Sequence, residues 1–171
     1  MTNPHLVQLR ARVDAHFERA VERSPDQFRC AAGCGACCHK RFSVFEVEAQ
    51  PIREALRAMA ATDPALREQI RAQAREPASN EATCPMLVDE RCTVYAVRPI
   101  ICRSHGLPVL TESGDEAEIT WCPLNFTGGD PPMSSVLRLE AVNAPLAMLA
   151  ELEAPRQPRV ALTTLAAADD G

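Results

Sequence analysis

The sequence predicts a mainly α, small α+β fold: a single helical domain with one short β-hairpin. Three observations lead there. Apolar residues recur at steps of three and four over several long stretches, which is the helical period. One stretch alternates around a turn in the manner of a hairpin. Aromatic residues make up only 4% of the 171 residues, so a core of Ala, Leu and Val is thin.

Taken in order, Leu6, Leu9, Val13, Phe17 and Val21 give residues 5–23 one apolar helical face, stopped by Ser24 and Pro25. This stretch carries charge throughout, with no unbroken apolar run and no cleavage site, so it does not read as a secretory signal. The longest apolar runs are too short to cross a bilayer. The expected location is therefore cytoplasmic, where thiols stay reduced. A Gly- and Ala-rich loop follows at 30–41. Ser43 and Glu46 then stand at capping-box spacing before a second helix that continues through Ile52, Ala55, Leu56 and Met59. Pro51 either kinks that helix or marks its true first turn. Asp63 before Pro64 predicts the start of a third helix, with Leu66 and Ile70 on its apolar side.

Residues 76–83 read as a polar linker. The stretch 84–106, "CPMLVDERCTVYAVRPIICRSHG", leaves little room for long regular structure. Residues 107–122 read as the hairpin, with Val109 and Ile119 on its arms and Ser113 and Gly114 near the turn. Val136, Leu139, Val142, Leu146 and Leu149 predict a last helix over 134–153, capped by Ser134 and bent by Pro145. The Pro- and Ala-rich remainder reads as a flexible tail. The expected organisation is an N-terminal helix (1–27), a cysteine-cluster domain (28–125), a C-terminal helix packing on it (126–153) and a tail (154–171).

The net charge of -5, with no basic stripe, argues against a nucleic-acid partner. No glycine-rich phosphate loop is present, and no two carboxylates are placed for acid–base work. Cys38 and His39 are adjacent, which rarely sets the geometry of a nucleophile and its base.

The chemistry lies in the eight cysteines. Cys30, Cys34, Cys37 and Cys38 crowd "CAAGCGACCHK", and Cys84, Cys92, Cys102 and Cys122 follow much later. Cys34 and Cys37 form a C-x-x-C pair, whose turn can present two sulfurs to one tetrahedral ion. Adjacent side chains point apart, by about 100° on a helix, so the Cys37–Cys38 doublet points to more than one metal atom. Inert buried thiols and a disulfide framework are the competing readings. Clustering disfavours the first. Chain length and the missing secretory signal disfavour the second. Thiolate ligation leaves negative charge that needs donors nearby. Lys40, Arg41, Arg91, Arg98 and Arg103 are candidates, with Arg98 and Arg103 the preferred pair. His39 and His105 could each replace a thiol, and Tyr95 could cover the sulfurs or anchor the core.

"CAAGCGACC" followed by "CPML", "CTVYAVRP" and "ICRSHG" resembles the YkgJ-type cysteine-cluster family, the zinc- or iron-chelating CxxCxxCC domain. The resemblance covers roughly residues 28–125. It implies a small metal-binding domain with up to eight ligands, mapping to Cys30, Cys34, Cys37, Cys38, Cys84, Cys92, Cys102 and Cys122. The first spacing here is C-x-x-x-C where the family has C-x-x-C. Family members are variously labelled zinc-, iron- or Fe–S-binding, and related domains occur in flagellin lysine N-methylases. The expectation is a protein binding Zn or Fe, including a 4Fe–4S cluster, with a role in carriage, sensing or assembly with a protein partner. The alternatives are an Fe–S-dependent oxidoreductase or methyltransferase-related enzyme, and a zinc-stapled interaction scaffold. Whether a reaction is catalysed, and on what substrate, stays open at this level.

Overall fold

The computed structural model describes residues 3–76, 83–114 and 116–169. In chain order it has α1 (Pro4–Arg23), β1 (Ser43–Val44), α2 (Glu46–Thr62), α3 (Pro64–Arg75), β2 (Leu87–Val88), β3 (Arg91–Cys92), α4 (Ile100–Ser104), β4 (Val109–Ser113), β5 (Glu116–Thr120), β6 (Leu137–Arg138), α5 (Glu140–Glu153), β7 (Val160–Ala161) and α6 (Leu162–Ala167). Single 3-10 turns occupy Pro25–Gln27, Ala36–Cys38, Tyr95–Val97 and Met133–Ser135. The fold is mainly α with short strands, as the hydrophobic periodicity predicts. Apart from its end residues, the linker expected at 76–83 lies outside the described residues. Among those described, no helix is long and apolar enough to cross a membrane.

The chain divides into two compact units, each assembled from separated segments. The first comprises Ala32–Pro99 and the chain from Ala150 onward; the second comprises Asn3–Ala31 and Ile100–Leu149.

In the first unit, α2, α3 and α6 pack on one another. Val44, Ile52, Leu56, Ile70, Met86, Leu162 and Leu165 are among the buried residues of the core they share. Asp63 serves two helices, as its place before Pro64 predicts. Its N–H donates to the Met59 carbonyl at 2.7 Å, closing α2, and its carboxylate accepts the Leu66 N–H at 3.0 Å, opening α3. Pro51 sits inside α2 and is buried, so the helix starts before it. The capping box does not form. Phe45 is the N-cap, Ser43 pairs with Ala161 across β1 and β7, and the Glu46 carboxylate engages Arg53. Strand pairing has fixed the Ser43 main chain, and an ion pair has claimed the Glu46 carboxylate.

The flexible tail is also corrected. Residues 160–167 form β7 and α6, and Leu162, Leu165 and Ala166 are buried. The strand partner of β7 is β1, far upstream, and α6 is too short to show a period. Arg67, only 1% exposed, fastens this segment by donating to the Ala166 carbonyl at 2.7 Å and the Ala168 carbonyl at 2.6 Å.

In the second unit, Asn3 caps α1 by accepting the N–H groups of His5 at 2.8 Å and Leu6 at 3.1 Å, with Pro4 in the first turn. Leu6, Leu9, Val13 and Ala20 are the buried face, and α1 packs against α4. The expected hairpin is present as antiparallel β4 and β5, with Leu110 opposite Ile119. The other edge of β4 is taken by β6, parallel to it, with Val109 opposite Leu137. That pairing removes residues 137–138 from the predicted last helix, which begins at Glu140, and Ser134 lies in a 3-10 turn instead of capping it. Pro145 is inside α5. The rings of Phe17 and Phe28 lie 5.5 Å apart, and those of Phe28 and Phe126 5.1 Å apart, a cluster around the segment that leads into Cys30.

Candidate metal centre

The stretch after Cys84 is more regular than its composition suggests. β2 and β3 form a tight hairpin, with Leu87 opposite Cys92 and Val88 opposite Arg91. Asp89 and Glu90 close it, both in the left-handed region at φ 49° and 58°. Two such residues in succession match the twist of a two-residue hairpin. The Leu87 N–H donates to the Cys84 carbonyl at 3.0 Å, and the Thr93 N–H to the Met86 carbonyl at 2.9 Å. Cys84 and Cys92 are thus held at the base of one compact turn.

The first cysteine loop lies against this hairpin. Its 3-10 turn is closed by the Cys38 N–H donating to the Gly35 carbonyl at 2.8 Å. Gly35 is buried, and a Cβ there would fall 2.7 Å from Glu90 Oε2 and 3.1 Å from Leu87 Cδ2. A side chain there would make the ends of the Glu90 and Leu87 side chains shift. The Cys84 N–H donates to the Cys38 carbonyl at 2.7 Å, joining the two cysteine stretches through the main chain.

The sulfurs therefore act on one another. The Cys38 thiol donates to Cys37, and this hydrogen bond is the main reason the Cys37 pKa drops from 9.0 to about 6, against the opposing effect of burial. The Arg98 and His39 charges add to the lowering. Cys38 is pushed up for the complementary reason, with burial and the charges of Cys37, Cys84 and Cys92 reinforcing it. Burial also raises Cys84 and Cys92, offset in part by the backbone of Met86 and of Val94 respectively, and at Cys92 by Arg98. Cys37 and Cys38 end a single 3-10 turn, and their thiols lie close enough to share a proton.

In the metal-free protein, alkylation of Cys37 followed by peptide mass mapping should show a midpoint near pH 6; a midpoint near 9 would contradict the shared-proton arrangement. Because its pKa lies below the unfolded value, this thiolate stabilises the metal-free fold above the unfolded value. That contribution is lost as pH falls through about 6.

The Arg98 charge acts on Cys37 and Cys92. It stacks on Tyr95 with 4.0 Å between the guanidinium carbon and the ring centroid. Tyr95 is 60% exposed, so it orients Arg98 and does not anchor the core. His39 is exposed and its Nδ1 is 3.1 Å from Thr83 Oγ1. Lys40, Arg41 and Arg91 are exposed. Cys34, half-buried, belongs to the same unit as Cys37, Cys38, Cys84 and Cys92.

Cys30, Cys102 and Cys122 belong to the second unit. Arg103, the other preferred cation, is buried there and ion-paired with Asp14 of α1. Asn125, which the sequence reading missed, engages two of these cysteines. It is 1% exposed; its backbone N–H donates to the Cys122 carbonyl at 2.9 Å, and its side-chain Nδ2 lies 3.5 Å from the Cys30 sulfur. A lone asparagine after "CPL" carries no spacing signal that would have revealed this.

All eight cysteines are thiols, with no disulfide among them. Among the described residues, no three Cys, His, Asp or Glu side chains close into a metal cage. The donor chemistry nevertheless fits a soft or borderline ion. Sulfurs are the neighbouring donors, one is held low enough to be thiolate at neutral pH, and a guanidinium stands ready to balance charge. Cys37, Cys38, Cys84 and Cys92 are the sulfurs of this neighbourhood that could serve zinc or iron as donors.

A family model, CxxCxxCC, described as "Putative zinc- or iron-chelating domain", matches residues 29–124, more than half of the chain. No curated protein and no solved structure matches it significantly.

Proposed function

Because the chain belongs to the CxxCxxCC zinc- or iron-chelating domain family, we propose that it binds zinc or iron through cysteine thiolates, either as ions or as an iron–sulfur cluster such as 4Fe–4S. The ligands are drawn from Cys30, Cys34, Cys37, Cys38, Cys84, Cys92, Cys102 and Cys122. The observation that carries this reading is the union of the two cysteine stretches in the first unit. A 2.7 Å main-chain hydrogen bond links Cys38 to Cys84, and the Cys37, Cys38, Cys84 and Cys92 sulfurs share one electrostatic neighbourhood. A reducing compartment such as the cytoplasm keeps those thiols available.

Carriage, sensing or assembly with a protein partner is the role proposed for such a centre. A cleft beside Cys84 is lined by Lys40, Phe42, Pro85, Leu162 and Thr163.

Parallel aerobic and anaerobic preparations, with elemental analysis and Mössbauer spectra, test the proposal. Stoichiometric zinc in a colourless protein identifies an ion site, and brown protein with a Mössbauer cluster signature identifies Fe–S. Protein that takes up neither metal from either preparation overturns it.

A further inference from the structure

We infer that Asn125 is the positioning residue that holds Cys30 as a metal ligand, an inference that rests on the chelating function proposed above. Its amide orientation is fixed by partners of known polarity. The Arg29 N–H can only donate, and it meets Asn125 Oδ1 at 2.8 Å. The Gly106 carbonyl can only accept, and it meets Nδ2 at 2.8 Å. Nδ2 is therefore the amide nitrogen, and the group it presents to the Cys30 sulfur at 3.5 Å is a donor. A buried donor aimed at sulfur is matched best by a sulfur carrying negative charge, the form in which cysteine ligates metal.

The surroundings leave that sulfur little freedom. Gly106 has φ +99°, and a Cβ there would fall 2.6 Å from Cys30 Sγ, so the sulfur lies on the bare face of a glycine just after α4, the helix that carries Cys102. The chain before Cys30 is fastened to the chain after Cys122, since the Phe126 N–H donates to the Gln27 carbonyl at 3.0 Å. Together with the Asn125 N–H on the Cys122 carbonyl at 2.9 Å, these bonds tie one amide to all three segments bearing the cysteines of this unit. A donor to a ligating sulfur both fixes its direction and offsets the charge it carries, and loss of such a partner typically costs about 10–100-fold in metal affinity. Cys30 is thereby placed as a held ligand although the residue is exposed and its spacing irregular.

The test is a double-mutant cycle on the full chain, read as the zinc dissociation constant by chelator competition. Asn125→Asp keeps the shape and the acceptor for Arg29 but replaces the donor facing sulfur with an oxygen. It should weaken zinc about tenfold or more, and in a Cys30→Ala background it should cause no further loss. Cobalt substituted for zinc should show a shifted sulfur-to-cobalt charge-transfer band in Asn125→Asp and an unshifted one in Asn125→Asp on Cys30→Ala, relative to Cys30→Ala alone. Asn125→Ser, smaller and uncharged, repeats the cycle if the aspartate does not fold. An equal loss in both backgrounds, or none in either, overturns the inference while leaving the chelating function intact. A wild-type chain that binds neither zinc nor cobalt sinks the chelating function itself.

Discussion

Cys37→Ser should strip metal from the first unit and lower the melting temperature of the metal-loaded protein by about 10 °C. The effect follows from linkage. A ligand that binds only the folded state, at a free concentration a thousand times its dissociation constant, contributes about 4 kcal/mol. For a chain of this size each kcal/mol moves the midpoint by about 2–4 °C. Serine is nearly isosteric with cysteine but a poor ligand for a borderline ion, and Cys37 is the sulfur whose charge is most favoured by its neighbours. Elemental analysis and thermal unfolding with and without chelator check both halves. Most of the melting difference should disappear when both proteins are stripped of metal, leaving only what the Cys37 thiolate itself contributes to the metal-free fold. Cys102→Ser probes the second unit in the same way. Arg98→Ala, which removes a cation and no sulfur, should weaken metal retention less than either. A Cys37→Ser protein with full metal and an unchanged midpoint would remove this residue from the ligand set.

The parts of the fold that could be read from sequence were those with local causes. The apolar stripe Leu6–Leu9–Val13 needs only the helical period, and Asp63–Pro64 needs only a cap and a fixed φ. The hairpin over 109–120 needs only alternation around a turn. What stayed hidden depends on pairings distant in sequence. Ser43 looked like a cap because Ala161, its strand partner, lies near the other end of the chain. Leu137 looked helical because β4, which claims it, precedes it by a whole hairpin. The same contrast governs the candidate metal centre. Clustering of cysteines was visible, and so was the usefulness of Arg98. The division of the sulfurs between two compact units was not, because it separates Cys30 from Cys34, only four residues apart. Asn125 was invisible for a further reason. A buried amide acts through the direction of its donors, and direction has no one-dimensional signature.

Arg67→Ala should destabilise the protein by about 3 kcal/mol and release the C-terminal segment to proteases. The guanidinium is 1% exposed and reaches from α3 to the carbonyls of Ala166 and Ala168, at 2.7 and 2.6 Å, at the end of α6. Hydrogen bonds from a charged donor contribute about 1.5–3 kcal/mol each, and an abandoned buried acceptor costs about 1–3 kcal/mol. The position also suits a cation, since the end of a helix carries partial negative charge. Three variants separate these causes. Arg67→Met retains the apolar stem and loses the donors, so it should be nearly as unstable as alanine if the carbonyls matter most. Arg67→Lys restores the charge as a single point that cannot fork to two carbonyls, so it should recover only part of the loss. Arg71, half-buried, donates from Nε to the Ala168 carbonyl at 3.3 Å, so in each variant the Ala166 carbonyl is the acceptor left without its Arg67 donor. Denaturant unfolding measures the total, and limited proteolysis should show faster cutting within residues 154–159 in the alanine and methionine variants. If Arg67→Met unfolds at the wild-type midpoint, α6 is held by Leu162 and Leu165 alone and the buried guanidinium is not what fastens the C-terminal segment.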